Sequence, residues 1–328
     1  MKRIAIIGAG IAGASCAGIL AAADCEVTLF DKARGAGGRL ATRRLDAGWA
    51  TLGCPFLQAV RAPFAQQLQA WRTTNWIAPV EGVVYGNSAL GWTRETMTQQ
   101  YRSLVEPSRL VRQLAGDARL RFSAQVTHVD ADTIMLADGE SISGFDQVIV
   151  SVPAPQAAVL LADYAALQAQ LAGVQYQPLW TFLMRWDGGV AAEAIRFDDS
   201  LLQLAVRQGF AGAGVWAVQA TPLFSTTYLD ASLEEVTTRA ASALVGLVGL
   251  SQPIDVIAAH RWLYAMPIAA TTCSTPDTRW LWDKETGVAV IGDGVSSGTL
   301  EGAWESGVQF AAMWLAANGI DPAQKASS

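Results

Sequence analysis

Apolar residues along this chain fall in short blocks separated by glycine, proline and charged positions. Arg3-Ile4-Ala5-Ile6-Ile7 is one such block, suited to a strand buried on both faces. A small-residue helix over Ala14 to Ala23 follows, then a second strand over Glu26 to Phe30. Between Ser123 and Ala137 the pattern changes to alternation at Val126, Val129, Ile134 and Leu136 around Asp130-Ala131-Asp132, which predicts a hairpin. Asp138-Gly139 marks the next turn. Gln147 to Val152 is another central strand, stopped by Pro153 and Pro155. Further strands are expected at Leu179 to Trp186, Leu201 to Val206 and Gly214 to Ala220, with an amphipathic helix over Glu234 to Leu250. Gly287 to Ile291 reads as a buried strand leading to a helix that runs toward Ala317. At 328 residues the chain has room for about two domains of ~150 residues.

Composition narrows the class. With 51% hydrophobic and 16% charged residues the chain is not intrinsically disordered. The mean hydropathy of +0.25 raises the question of a membrane. No uninterrupted apolar run reaches the ~18 residues a spanning helix needs. The most apolar late stretch, Ala240 to Leu250, is broken by Gly246 and Gly249 and stopped by Ser251-Gln252-Pro253. Met1-Lys2-Arg3 and the apolar run after it imitate a signal peptide, but glycines at 8, 10 and 13 have no purpose in one. A net charge of -6 gives nucleic acid no electrostatic footprint. Four cysteines without C-x-x-C spacing and two histidines offer no metal cluster. They read as small hydrophobes in a reducing compartment, and a cytoplasmic location is expected. Lysine is scarce: Lys2, Lys32, Lys284 and Lys325 are the complete set.

The first chemical signal is Gly8-Ala9-Gly10-Ile11-Ala12-Gly13 between the first strand and helix. Gly8 permits a tight turn, Gly10 lets backbone approach a pyrophosphate at the helix N-terminus, and Gly13 lets helix and sheet pack closely. Asp31 lies 18 residues after Gly13, placed to accept hydrogen bonds from a ribose 2′-hydroxyl. It disfavours a 2′-phosphate, so FAD or NAD is expected rather than NADP. Downstream, Gly37-Gly38-Arg39 combines a bend with a guanidinium fork for phosphate oxygens.

An acid, a short basic stretch and then Gly37-Gly38-Arg39-Leu40-Ala41-Thr42 resembles the signature of the flavin-containing amine-oxidase superfamily. Gly292-Asp293-Gly294, followed by Ser296 to Gly307, resembles its second flavin motif. The resemblance implies an α/β fold: a Rossmann-type, glutathione-reductase-like FAD-binding domain with a second α+β substrate domain on a mixed or antiparallel sheet. It places Asp31 on the adenosine ribose, Gly38 and Arg39 on the FAD pyrophosphate, Asp293 on the ribityl chain and Val126 on the adenine. The start of the last helix would face the flavin pyrimidine edge. Leu52-Gly53-Cys54-Pro55-Phe56-Leu57 is the nearest match to a strand beside the flavin ring, with Thr51 where an acid is usual; an ordinary buried strand is the alternative. The implied contacts to non-covalent FAD are thus Gly8, Gly10, Ile11, Ala12, Gly13, Asp31, Lys32, Gly38, Arg39, Pro55, Phe56, Val126, Asp293 and Leu300.

The FAD domain is expected to be discontinuous, at 1–75, 106–164 and 276–328, with 76–105 and 165–275 forming the substrate domain. In the latter, His260-Arg261-Trp262-Leu263-Tyr264-Ala265-Met266-Pro267 puts His260, Trp262 and Tyr264 on one face of a strand. This string resembles the renalase branch of the superfamily. That branch implies oxidation of 1,2- or 1,6-dihydro isomers of NAD(P)H, with O2 reduced to hydrogen peroxide. Trp180, Arg185, His260 and Tyr264 are the candidate substrate contacts, with Arg185 or Arg61 for phosphate, and no residue is expected to act as acid or base. Amine oxidases of the superfamily commonly place a lysine near flavin N5, and residues 33 to 283 contain none, leaving Lys284. An FAD-dependent amine oxidase or related desaturase is the alternative, and a non-enzymatic carrier on the same fold a remote one.

Overall fold

A computed structural model describes residues 1–81, 84–88, 91–95, 99–186, 192–252, 254–268 and 279–321. Its first domain is built on a six-stranded sheet. The strand order is Arg119–Arg121, Glu26–Phe30, Arg3–Ile7, Gln147–Val150, Val288–Ile291 and Trp280–Asp283. Every neighbouring pair is parallel except the last, which is antiparallel. Both faces are covered, which is why these strands read as continuous apolar runs. Gln147 is the polar exception: it is buried, and its side-chain carbonyl accepts from Trp314 Nε1 at 2.8 Å.

One face of this sheet carries the first helix (Ile11–Ala22) and the last (Leu300–Ala317). They meet at Gly307, where a Cβ would stand 2.2 Å from the Ala12 carbonyl oxygen. The core on this side holds Ile4, Ile6, Leu29, Ile149, Phe310 and Trp314. Opposite, Ala5, Ile7, Val148 and Val150 pack under the helices Ala154–Leu160 and Ala165–Leu171 and the expected hairpin, formed by Val126–Val129 and Ile134–Leu136.

The second domain is a seven-stranded sheet ordered Asp255–Ile268, Gln175–Arg185, Val215–Ala220, Leu202–Arg207, Ala194–Phe197, Val84–Ser88 and Gly91–Glu95. It is antiparallel apart from the pairing of Ala194–Phe197 with Val84–Ser88. One face is roofed by the helices Pro222–Thr227 and Leu233–Val248, with Phe224 of the first packing over Trp180, Phe182 and Trp216. Each fully buried phenylalanine there contributes ~1.5–3 kcal/mol. The other face turns Leu183, Val215 and Ala217 toward Ala50 and Leu52 of the first domain.

Two sequence expectations shift. The helix predicted to Leu250 stops at Val248 because Gly249 adopts a left-handed φ of +68°. The stretch 76–105 divides: Ile77–Pro79 and Gln100–Ser103 pair in a small separate sheet, with Ile77 in the first domain's core, and only the strands within 84–95 join the large sheet. At the other end of helix Leu233–Val248, Ser232 Oγ accepts from Glu235 N–H at 3.1 Å. Ser232→Ala should therefore cost about 1 kcal/mol, measurable by urea unfolding. No helix among the described residues is long and apolar enough to cross a membrane.

Candidate cofactor and substrate site

The fingerprint glycines divide into those that packing requires and one that faces open space. Gly8 has φ +111°, and a Cβ there would stand 2.5 Å from the Ser151 carbonyl oxygen. A Cβ on Gly13 would stand 2.1 Å from the Gly8 oxygen. Gly10 has no atom within 4 Å of its Cβ position, and Gly38 lies opposite, its own Cβ position 3.4 Å from Gly10 Cα. Gly37 N–H donates to Ala9 O at 2.9 Å, tying the second turn onto the first. The first helix, beginning at buried Ile11 and Ala12, has no side-chain cap and no acid in its first turn. Its N-terminal N–H groups and partial positive charge therefore lie beside the open space at Gly10, which fits a pyrophosphate.

Asp31 is fixed by two backbone donors, Ala9 N–H to Oδ2 and Ala33 N–H to Oδ1, both at 2.7 Å. An ionised carboxylate has further lone pairs for a sugar hydroxyl. Lys32 beside it is exposed. Ala124 N–H donates to Asp31 O and Ser123 N–H to Ala33 O, which lays the segment entering Val126 along this edge.

Arg39 and Asp293, expected on different parts of the cofactor, are bonded to each other. Arg39 Nη1 and Nη2 donate to the two Asp293 oxygens at 2.5 and 2.7 Å, and Nη1 also donates to Ala265 O at 3.0 Å. Tyr176 completes the cluster: its ring lies 5.9 Å from the guanidinium carbon and its hydroxyl donates to Asp293 Oδ1 at 3.3 Å. Burial opposes the Arg39 charge, but the bond to Asp293 outweighs it and holds the guanidinium above its ordinary pKa. Burial first, and Asp293 second, push the Tyr176 phenol well up, so it remains a neutral donor. Sequence gave no sign of Tyr176, since a tyrosine at a strand start is ordinary. Leu300 opens the last helix, whose N-cap Thr299 accepts from Gly302 N–H at 2.9 Å.

The expected strand over 52–57 is corrected to a loop between Gly48–Thr51 and Leu57–Gln58. Gly53 passes so close to Arg39 that a Cβ would stand 1.9 Å from the Arg39 oxygen, and Pro55 has no N–H to pair. The loop is pinned instead by Cys54 N–H to Arg39 O, Gln219 Nε2 to Gly53 O and Trp262 Nε1 to Leu52 O. Pro55 and Phe56 are half-buried within it.

His260, Trp262 and Tyr264 follow one another along the edge strand Asp255–Ile268. The His260 and Trp262 ring centroids are 4.2 Å apart, and Tyr264 meets Tyr176 edge-on at 5.7 Å. Burial, then the Arg43 charge, lower the His260 pKa, leaving a neutral imidazole at pH 7. Three expectations are corrected. Trp180 points to the helix-covered face, where its Nε1 donates to Tyr228 O, because strand alternation sets it opposite Thr181 and Leu183. Arg185 lies at the far end of its strand and pairs with Asp255 at 3.6 Å, and Arg61 is held by Glu305 of the last helix at 2.9 Å. Lys284 sits over the Trp282 ring before strand Val288–Ile291, whereas Asp293 follows that strand, so the lysine is at the opposite sheet end. No group of residues among those described could hold a metal ion.

A glycine cradle at the carboxyl end of a parallel sheet, faced by an antiparallel second domain, defines a two-domain flavoprotein oxidoreductase. The model for flavin containing amine oxidoreductase matches residues 58–313, and that for a NAD(P)-binding Rossmann-like domain matches residues 6–68. The chain belongs to the flavin containing amine oxidoreductase family, and its first domain binds FAD. Solved structures share the fold at 12% identity. Reduced UDP-galactopyranose mutase gives a TM-score of 0.74, over 97% of this chain and 96% of that one. Putrescine oxidase bound to putrescine gives 0.70 over 96% and 99%, and an oxidoreductase from Methanosarcina mazei 0.69 over 95% and 100%.

Proposed function

We propose that this protein is an FAD-dependent oxidase that takes a hydride from a carbon bonded to nitrogen. The observation that carries this reading is the family match together with the open space that Gly10 faces at the start of the first helix. Gly8, Gly10, Ile11, Ala12, Gly13 and Gly38 would receive the pyrophosphate. Asp31, Lys32 and Val126 would border the adenosine. Arg39, Asp293, Tyr176 and the start of the helix at Leu300 would hold the flavin half, with Pro55 and Phe56 alongside. FAD, when bound, supplies the hydride acceptor and passes the electrons to O2, giving hydrogen peroxide. The protein's part is to align a flat or short substrate along Tyr264, Trp262 and His260 and to exclude water. In a dihydropyridine the ring-nitrogen lone pair stabilises the cation left behind, so that oxidation requires no side chain as acid or base.

Oxidation of an amine, or a related desaturation, has the support of the family description and of the likeness to putrescine oxidase. Oxidation of 1,2- or 1,6-dihydronicotinamide nucleotides is favoured by one feature of the site. Lys284 is at the wrong end of the sheet, and Lys2 and Lys32 flank other strands, so among the described residues no lysine joins Arg39, Asp293 and Tyr176. Mixing the anaerobic holoprotein with amines, with NADH and with its dihydro isomers separates the readings by flavin bleaching. Rapid bleaching by isomers alone selects the nucleotide, by amines alone the amine. A protein purified colourless and unable to take up FAD would remove both.

A further inference from the structure

We infer that Arg43 is an anchor for a phosphate-type anion of the substrate, at the outer end of the row formed by Tyr264, Trp262 and His260. The inference deepens the dihydronicotinamide reading and rests on it for the identity of the ring that precedes the anion.

Strand alternation settles where Arg43 points. It lies on the strand Thr42–Leu45, paired with Gly48–Thr51, and its register partner is Ala50. Ala50 is fully buried in the cluster of Leu52, Leu183 and Ala217 against which Trp262 packs. Residues opposite each other in an antiparallel pair share a face, so Arg43 projects to the same side. Its neighbours confirm this by projecting away. Thr42 shares a 3.0 Å hydrogen bond with Ser108, and Arg44 pairs with Glu106 at 3.3 Å. The Arg43 charge is felt at His260, whose pKa it lowers.

The partners of the nearby arginines make Arg43 unusual. Arg39, Arg44 and Arg61 each have a carboxylate, whereas Arg43 has no ion-pair partner among the described residues. In a chain of net charge -6, an unneutralised guanidinium beside the substrate face favours an anionic ligand. Its planar fork suits phosphate oxygens bidentately.

Spacing then restricts the ligand. Tyr264 abuts Tyr176, which is bonded to Asp293, so that end of the row belongs to the cofactor. From His260 to Trp262 the strand advances ~7 Å at 3.3 Å per residue, and the irregularity between Trp262 and Met266 keeps Tyr264 closer than full extension would. A ring stacked near Tyr264 and Trp262 must carry a spacer about the length of a ribose to bring an anion to Arg43. A nicotinamide nucleotide has that layout. A short diamine would instead bring a cation, which Arg43 repels.

The test uses purified holoprotein and three probes: NAD+ (ring with pyrophosphate), nicotinamide riboside (ring without phosphate) and inorganic pyrophosphate (no ring). Binding is read from the flavin difference spectrum and tryptophan fluorescence, with FAD content and urea unfolding as controls. For Arg43→Gln we expect NAD+ affinity to fall by about tenfold or more, riboside affinity to stay unchanged, and pyrophosphate to stop competing with NAD+. Arg43→Lys, which keeps the charge but not the fork, should fall between. Equal NAD+ affinity in wild type and Arg43→Gln overturns the anchor. If NAD+ leaves the wild-type spectrum unchanged, the nucleotide reading fails and pyrophosphate decides alone. Binding to wild type and not to Arg43→Gln supports the anchor; the same response, or none, in both overturns it.

Discussion

Asp293→Ala is expected to destabilise the protein by about 3–5 kcal/mol and to yield protein that purifies without FAD. The loss follows from what Asp293 neutralises. Its carboxylate is almost completely buried and receives both arms of the Arg39 fork as well as the Tyr176 hydroxyl. Removing it leaves a part-buried guanidinium with only the Ala265 carbonyl. Breaking one side of such a pair costs far more than replacing both sides. Arg39→Met with Asp293→Ala should therefore recover much of the stability while staying colourless. Urea unfolding and the flavin absorbance band provide the two readings. A single variant that unfolds like wild type would show that the pair is not a structural tie.

Gly10→Val and Gly13→Ala should fail in opposite ways. At Gly13 the added methyl would stand 2.1 Å from backbone, so the first helix must move off the sheet. Overpacking of this kind costs ~1–3 kcal/mol, and the apoprotein itself should unfold at lower urea. At Gly10 nothing stands within 4 Å, and the backbone (φ -79°, ψ -178°) is extended and open to valine. Apoprotein stability should stay within about 0.5 kcal/mol of wild type. The bulk would instead occupy the open space beside Gly10, and FAD affinity should drop by about a hundredfold or more. Titrating FAD fluorescence into each apoprotein checks this. A yellow Gly10→Val protein of normal affinity would mean that the cofactor does not occupy the space beside Gly10.

These expectations lean on features of unequal visibility in the sequence. The parallel sheet was legible because strands buried on both faces must be continuously apolar, as Ile4 to Ile7 and Val148 to Val150 are. Period-two alternation predicts one face for His260, Trp262 and Tyr264, but the pairing with Gln175–Arg185 slips between Trp262 and Met266, an irregularity that alternation cannot foresee. Trp180 was misjudged because alternation fixes which residues share a face but not which face meets the cofactor; that depends on where the helix Leu233–Val248 packs. Residues 52–57 were misjudged because a run of apolar side chains says nothing of Gly53 lying against the Arg39 backbone. Tyr176 could not be seen at all. Its role arises from a hydrogen bond spanning 117 positions, for which no local pattern exists.

The order of strands in the first sheet also bears on synthesis. Residues 3–7 lie between strands at 26–30 and 147–150, and the latter is bordered on its other side by 288–291. The first helix meets the last at Gly307, close to the chain's end. Contacts of such sequence separation form slowly, because long loops must close before any burial repays the lost freedom. The surface of the first helix at Ala12 is therefore covered only after residue 307 has left the ribosome. Until then this part of its alanine and glycine surface is exposed.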